Sequence, residues 1–547
     1  MKTVLIFVPH EDDEINLAGA TIVRLKEEGA RVICAFLTNG DWLYSAETRF
    51  AEALASLSAL GVPEDDAVFL GYPDGGTMGK HSLFMHGKET PIVAAGHAET
   101  YGTAAHPDFA STVRGRPTPY TWDGLLSDIE TLILHYMPDT IIGTDFDRHP
   151  DHRMASLALD TAMGRILNRK GNDYFPIYLK GFAYSTAFQA EDTLFTESHT
   201  PAAAVSSAAL AYPDYGTDNP AFPWEARLRF AVPASCRTID MKENRLFRAL
   251  SYYISQRIFV RVGRIAKGDQ VFWQRRTDSL IRGAELSAAS GDPSHLADFR
   301  TMYTEDITAD APVFSGDCWK PEETNPEKSV TVTFAAPRTV SAVSLWGSAY
   351  ETGETRVTLH FGNGYEISAN LSEKGRETKI EIPPQENISE VTLTVTAGPG
   401  AVAEWDLYET KSQPVPLLHI TADDRFAYEN YTIWPGETPP EISAYTHDIK
   451  EPVRWFLNGN ETTLPDIQKA VDTLKAPLQI RAEAGNLSDE IRIGKKSRFD
   501  LMKYKLNQKA AILYIEKVRL KYESRHHAMK QAAKKEQAKL LTSGGNP

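Results

Sequence analysis

The first part of the chain alternates between two hydrophobic periods. "TVLIFV" (3–8) is an unbroken apolar run, the pattern of a strand buried on both faces. "LAGATIVRLKEEGA" follows with helical spacing and closes at Gly29, with Lys26 in its last turn. "RVICAFLTNGD" predicts a second strand, "AETRFAEALASLSALGV" a second helix, and "DAVFLGYPDGG" a third strand and its turn. "WDGLLSDIETLILHYMPD", "TIIGTD" and "HRMASLALDTAMGRIL" continue as helix, strand and helix. This alternation implies a mostly parallel sheet covered on both faces, a Rossmann-like α/β fold. Between residues 76 and 121 the periodicity lapses. A loop that long inside a compact domain is usually functional, so a lid or substrate-binding insertion is expected there. "IYLKGFAYS" as a strand, "KENRLFRALSYYISQ" as a helix and "GDQVFWQRRTD" carry this first unit to about residue 284.

From about 285 the period becomes two. "SVTVTF", "VSAVSLW", "VTLTVT" and "EWDLYE" read as strands, and "LHFGNGYEI" sets Asn363-Gly364 where a hairpin turn belongs. Residues 285–412 are therefore expected to form one β-sandwich. A second β-rich unit, 413–494, contains "YTIWPGE", "VRWFLNGNE" and "PLQIRAEAG", with Trp455 as a core candidate. It reads as Ig-like but has no cysteine for the usual disulfide. Residues 495–547 predict a helical tail in which Phe499, Leu506, Leu513 and Leu520 recur every seven residues.

Composition narrows the class. The 547 residues have ordinary apolar and charged content and a formal net charge of −15, which argues against nucleic acid as the main partner. The charge is uneven. The tail holds 14 Lys+Arg against 4 Asp+Glu, about +10, leaving roughly −25 for the remainder. A solvated basic helix is the plain reading of that tail, and docking to an anionic membrane surface or a protein partner the sharper one. Cys34, Cys236 and Cys318 are scattered and odd in number, so no disulfide framework is implied. The opening apolar run is too short for a signal peptide and leads into charge, and no stretch approaches a membrane span. A cytoplasmic location is expected.

The chemistry concentrates at two strand ends. "VPHEDDE" packs His10, Glu11, Asp12, Asp13 and Glu14 between the first strand and the first helix. One carboxylate there would be an ordinary helix cap, but a cap has no use for a histidine. His10 and Asp13, three apart, suit a metal that takes nitrogen and oxygen ligands, and a catalytic zinc site needs a third protein ligand. "TIIGTDFDRHPDHR" offers His149, Asp151 and His152 at the end of another strand, the side of an open sheet on which ligands bind. The first turn lacks the glycines of a nucleotide-binding Rossmann unit.

"PHEDDE" followed by "HPDH" resembles the paired signatures of the PIG-L/LmbE-like family, zinc-dependent N-acetylglucosaminyl deacetylases and related hydrolases of non-peptide amide bonds. "LTNGD", Arg49 with Glu52, and "LGYPDGG" resemble the same family, and the resemblance spans roughly residues 1–280. It implies His10, Asp13 and His152 as ligands of one zinc ion per chain. It implies Asp12 as the general base, and His149 as the oxyanion-stabilising group with Asp151 hydrogen-bonded behind it. Glu11 stands where the family usually has proline, and Asp147 where some relatives have tyrosine. Asp41, Asp74, Arg49, Arg114 and Tyr120 are candidates for contacts to an amino sugar or glycan. The single histidines His81, His86, His97 and His106 read as surface residues.

Residues 285–410 resemble the discoidin-type, galactose-binding-like sandwich through "ELSAASGD", "PEKSVTVTFAAPRTVSAVSLWG" and "VAEWDLYE". Glycan binding is the expectation attached to that resemblance, with Trp319, Trp346 and Tyr350 as a stacking surface. The whole then reads as a deacetylase acting on an N-acetylated amino sugar, against the alternative of an inactive glycan-binding scaffold.

Overall fold

The computed structural model describes residues 1–76, 79–88, 90–147, 149–183, 188–189, 202–204, 224–257, 259, 265–301, 305–308, 318–348, 353–371 and 376–542. Tyr350 lies outside them. Seven strands make the first sheet: β1 (Thr3–Val8), β2 (Arg31–Thr38), β3 (Ala67–Tyr72), β4 (Thr140–Thr144), β5 (Ile177–Gly181), β6 (Leu228–Ala231) and β7 (Asp269–Arg275). Their order is β3-β2-β1-β4-β5-β7-β6. The first five run parallel, while β7 pairs antiparallel with both β5 and β6.

Both faces of β1 are covered, as its unbroken apolar run requires. Val4, Ile6 and Val8 join the apolar cluster on one side, and Leu5 and Phe7 the cluster on the other. The main covering helices are α1 (Asp13–Glu27), α2 (Ala46–Leu60), α3 (Trp122–Tyr136) and α4 (Pro150–Leu167). Their starts follow local chemistry: Ser45 caps α2 by accepting from Thr48 N, and Thr121 caps α3 by accepting from Gly124 N. The chain leaves β1 towards β2 on one side and reaches β4 on the other. The strand order therefore reverses between β1 and β4, which opens a crevice at their carboxyl ends.

The described residues of the insertion expected as a lid or substrate-binding segment pack against the sheet's second face. They include short helices at Leu83–His86 and Phe109–Arg114, and Leu83, Phe84, Phe109 and Tyr120 complete the second apolar cluster. The helix expected over 242–256 is one short helix, Arg245–Leu250.

Beyond the first sheet, strands Ser329–Gly347 and Glu377–Ala397 form the spine of a six-stranded antiparallel sheet. The two runs read as separate strands, "SVTVTF" and "VSAVSLW", are one long strand whose pairing with its neighbour shifts register between Thr333 and Ala342. A three-stranded and a five-stranded sheet follow and enclose Ile420, Trp455, Ile467 and Ile480. A helix from Arg498 to Thr542 ends the described chain.

The units are tied by buried charge and shared apolar contacts. Arg275 Nη1 and Arg282 Nη2 reach Asp406 at 2.6 and 2.9 Å, and both guanidinium groups also meet Glu404. Leu417, Ala511 and Ile515 belong to the same apolar cluster as α1 and α2.

Trp319 and Trp346 do not form the expected stacking surface. Trp319 is fully buried with its Nε1 donating to Ser290 O, and Trp346 is buried under the Arg275 guanidinium, 4.0 Å above the ring. Among the described residues, no helix is long and apolar enough to cross a membrane.

Candidate active site

The β1–α1 and β4–α4 connections meet in the crevice, although 139 residues separate His10 from His149. The first is a tight turn in which the amides of Asp12 and Asp13 both donate to His10 O. It folds Asp13 back so that its Oδ2 lies 3.0 Å from His10 Nδ1. In the second, His149 is the N-cap of α4, its Nδ1 accepting from Asp151 N at 3.2 Å, and Pro150 fills the first helical turn. His152, one turn in, then points its Nε2 at the same Asp13 Oδ2, 3.1 Å away. The three imidazoles sit as a triangle, with ring centroids 4.8, 5.4 and 4.9 Å apart.

Carboxylates surround these rings. Asp147 Oδ2 lies 2.6 Å from His152 Nδ1, and Asp147 Oδ1 accepts the His149 amide. Asp151 Oδ2 faces His10 Nε2 at 3.1 Å and accepts from Gly75 N at 3.0 Å. Asp74 Oδ1 stands 3.7 Å from the same His10 nitrogen.

The expected wiring of Asp151 is thus corrected. Its carboxylate serves His10, and only its backbone amide touches His149. With Nδ1 accepting that amide, His149 carries its proton on Nε2. Burial, with the neighbouring His10 and His152, holds the ring well below its ordinary value, which favours the neutral form. His152 behaves oppositely: against burial, Asp13 and Asp147 push it up to about 9. His10 is likewise raised against burial by Asp74, Asp13 and Asp151. Asp13, despite burial, is held well below the usual carboxylate range by His152 and His10.

These contacts test whether a metal fits. Both nitrogens of His10 and both of His152 face carboxylate oxygens, yet a neutral imidazole has a single N–H. One contact on each ring is a lone pair against an oxygen unless a second proton or a cation intervenes. Asp13 Oδ1 and Asp151 Oδ1 are also buried with no hydrogen-bond partner among the described residues. Ligand atoms of His10, His149 and His152 lie within 4.8 Å of one another, as do those of His10, Asp74 and Asp151. Imidazoles with carboxylates are a donor set for a divalent transition metal, and the residues fit one.

The remaining acidic residues at the first turn have separate partners. Buried Arg49 reaches Glu11 Oε2 through Nε and Asp12 Oδ1 through Nη2, both at 3.4 Å. Burial pushes Glu11 up to about 8, with Arg49 drawing it back. Against burial, Asp12 and then Glu11 strengthen the guanidinium's hold on its proton. Gly40, at φ +58°, passes so close to this pair that a Cβ would strike both Arg49 and Glu11. Glu14 turns the other way, accepting from Tyr253 Oη at 2.5 Å, and burial raises it to about 8.

The outer candidates divide. Asp74 joins the cluster. Asp41 ties two loops together, accepting from Tyr101 Oη at 2.5 Å and from Asp74 N at 3.1 Å. Arg114 and Tyr120 make contacts within the fold. Arg114 is ion-paired with buried Asp128 and bonds Thr118, and fully buried Tyr120 donates to Gly71 O. Sequence reasoning missed the roles of Asp147 and Gly75. The first carries the signal of a carboxylate just ahead of the histidine pair. The second lies in the quoted "YPDGG" turn, where an added Cβ would meet Asp151 Oδ1 at 2.6 Å.

Residues 5–163 match the family described as PIG-L: GlcNAc-PI de-N-acetylase, and this segment is a PIG-L domain. Comparison with curated proteins gives no match. Among solved structures, N,N'-diacetylchitobiose deacetylase from Pyrococcus horikoshii is similar at 15% identity, covering 50% of this chain and 84% of its own, with a TM-score of 0.27. A deacetylase triple mutant of the teicoplanin biosynthetic pathway gives 13%, 50%, 97% and 0.28 in the same terms. The family 32 carbohydrate-binding module of Clostridium perfringens NanJ, solved with galactose, gives 18%, 24%, 96% and 0.19.

Proposed function

We propose that the PIG-L domain is a zinc-dependent hydrolase that removes an N-acetyl group from an amino sugar or glycoconjugate, within a chain divided at about 284, 412 and 494. The observation that carries this reading is the convergence of His10, Asp13, His149 and His152 from two distant loops, together with the family match over residues 5–163. His10, Asp13 and His152 are the residues to hold one zinc ion, their orientation fixed by Asp151 on the first ring and Asp147 on the second. Bound there, zinc would polarise the amide carbonyl and make water acidic enough to attack it near neutral pH.

The chain's own groups then manage protons and charge. Asp12 takes a proton from the attacking water and returns it to the departing amine, a general base followed by a general acid. Arg49, with its Nη2 3.4 Å from Asp12 Oδ1, sets a fixed positive charge beside that carboxylate. His149, neutral with its proton on Nε2, donates that hydrogen to the oxygen on which negative charge develops. Asp74 and, more remotely, Asp41 would accept sugar hydroxyls at the crevice rim, a role that their neighbourhood to His10 and to each other supports.

The test combines metal content with acetate release from N-acetylated amino sugars. Stoichiometric zinc in the wild type, acetate release that Asp12→Ala abolishes while zinc stays bound, and loss of zinc in His10→Ala would support the reading. Bound zinc without Asp12-dependent release across a broad panel would instead favour an inactive glycan-binding scaffold.

A further inference from the structure

The tail helix Arg498–Thr542 has two apolar stripes, and only one of them is used by the fold. Ala511 and Ile515 are buried in the apolar cluster that includes α1 and α2, with Tyr514 and Val518 packed beside them. Tyr522 stacks on Phe259 at 5.6 Å, Arg257 pairs with Glu523, and Trp434 stacks on Tyr504. At about 100° per residue, these side chains share one side of the helix.

The residues at intervals of seven lie on the opposite side. Phe499, Leu506, Leu513 and Leu520 are 70, 59, 71 and 65% exposed, and Met502 beside them is 56% exposed. The five fall within an arc of roughly 60°. Lys503 and Lys521 border that arc on one side, Arg498 and Lys509 on the other, and Lys517 and Lys535 continue its line. Three of the tail's four carboxylates are engaged. Asp500 accepts from Ser497, Glu516 pairs with Arg519, and Glu523 with Arg257.

We infer that this outward face is a docking surface for an anionic lipid bilayer, with the apolar stripe entering the headgroup region and the flanking lysines meeting lipid phosphates. An apolar arc bordered by cations is the pattern of a helix lying in the membrane interface. Charge decides the occupant. A second copy of the tail would set two helices of about +10 against each other, whereas an anionic leaflet complements the basic flanks. The docked stripe fixes the helix to the body of the protein, so the outward face is presented without the ordering cost of a free peptide. The inference does not depend on the deacetylase reading.

The test is co-sedimentation of the full chain with vesicles of phosphatidylcholine alone or mixed with phosphatidylglycerol. Binding to the mixed vesicles, loss on raising salt, and an affinity at least about tenfold lower for Leu506→Glu/Leu513→Glu are expected. Lys503→Glu/Lys521→Glu, which leaves the apolar stripe intact, should weaken binding to the mixed vesicles only. Unchanged circular dichroism separates loss of docking from loss of the helix. Absence of sedimentation, or equal binding to neutral vesicles, overturns the inference. So does a concentration-dependent dimer that the leucine double variant abolishes while vesicles bind nothing, which would assign the face to a second copy.

Discussion

At the scale of single residues, the site depends on which carboxylate meets which cation. Arg49 contacts both Glu11 and Asp12, and all three are buried. Arg49→Met would take the guanidinium away from these two buried acidic side chains. It should lower the unfolding free energy by about 3–5 kcal/mol, measured by urea denaturation. Glu11→Gln keeps the shape and should cost less than half as much. If the two variants are equally destabilised, the pairing is not what holds the turn. This pairing also explains what the sequence could and could not disclose. Five charged residues in a row announced a site, and the ligand-type residues on the second loop were visible from spacing. The partner of Glu11, 38 residues away, was not. Nor was the assignment of Asp151 to His10, because spacing does not reveal which ring nitrogen a side chain reaches. Tyr120 and Arg114 illustrate the converse limit: an aromatic and a guanidinium in a loop look alike in sequence whether they face a sugar or a core.

At the scale of elements, the loop after β3 supports the site through a glycine. Gly75 N donates to Asp151 Oδ2, and a methyl group at its Cα would press on the other carboxylate oxygen. Gly75→Ala should therefore push Asp151 away from His10, lowering the deacetylation rate by about 10²-fold as the His10 ring it orients moves by roughly 1 Å. Thermal denaturation should change little, because the loop lies outside the apolar clusters. A large fall in melting temperature with unaltered kcat would refute this role. The strands and helices around the loop were legible because each carries a long periodic run with its own cap. Residues 76–121 were not, since their order comes from scattered apolar anchors such as Leu83, Phe84 and Phe109 that enter a core built by other segments. The single strand Ser329–Gly347 was divided in two by "AAPR", which reads as a break but is accommodated where the pairing shifts register.

At the scale of the molecule, the β-rich units are fastened to the first sheet by contacts that no local pattern predicts. Arg229 of β6 pairs with Asp269 of β7 at 2.6 Å, reaches across to Asp424, and lies over the Phe426 ring. His419, on the strand Leu417–Ala422, sits at the same junction, 4.7 Å from Phe426 by ring centroids. Burial, reinforced by Arg24 and Arg229, lowers it to about 4, while Asp489, at 4.0 Å, is the carboxylate facing it. A histidine whose folded value lies below its unfolded value of about 6.5 binds more protons in the unfolded chain. Its contribution is complete above that pH and is lost as pH falls from about 6.5 to 4, by up to about 3 kcal/mol. Melting temperatures measured through this window should fall more steeply for the wild type than for His419→Gln, which carries no proton to gain. Because the Arg229 guanidinium both opposes a charged His419 and holds the junction, the loss should appear first as protease sensitivity between the first sheet and residues 417–447. Parallel melting curves for the two proteins, or cleavage confined elsewhere, would show that the junction is held by Arg229 and its carboxylates without any demand on the state of His419.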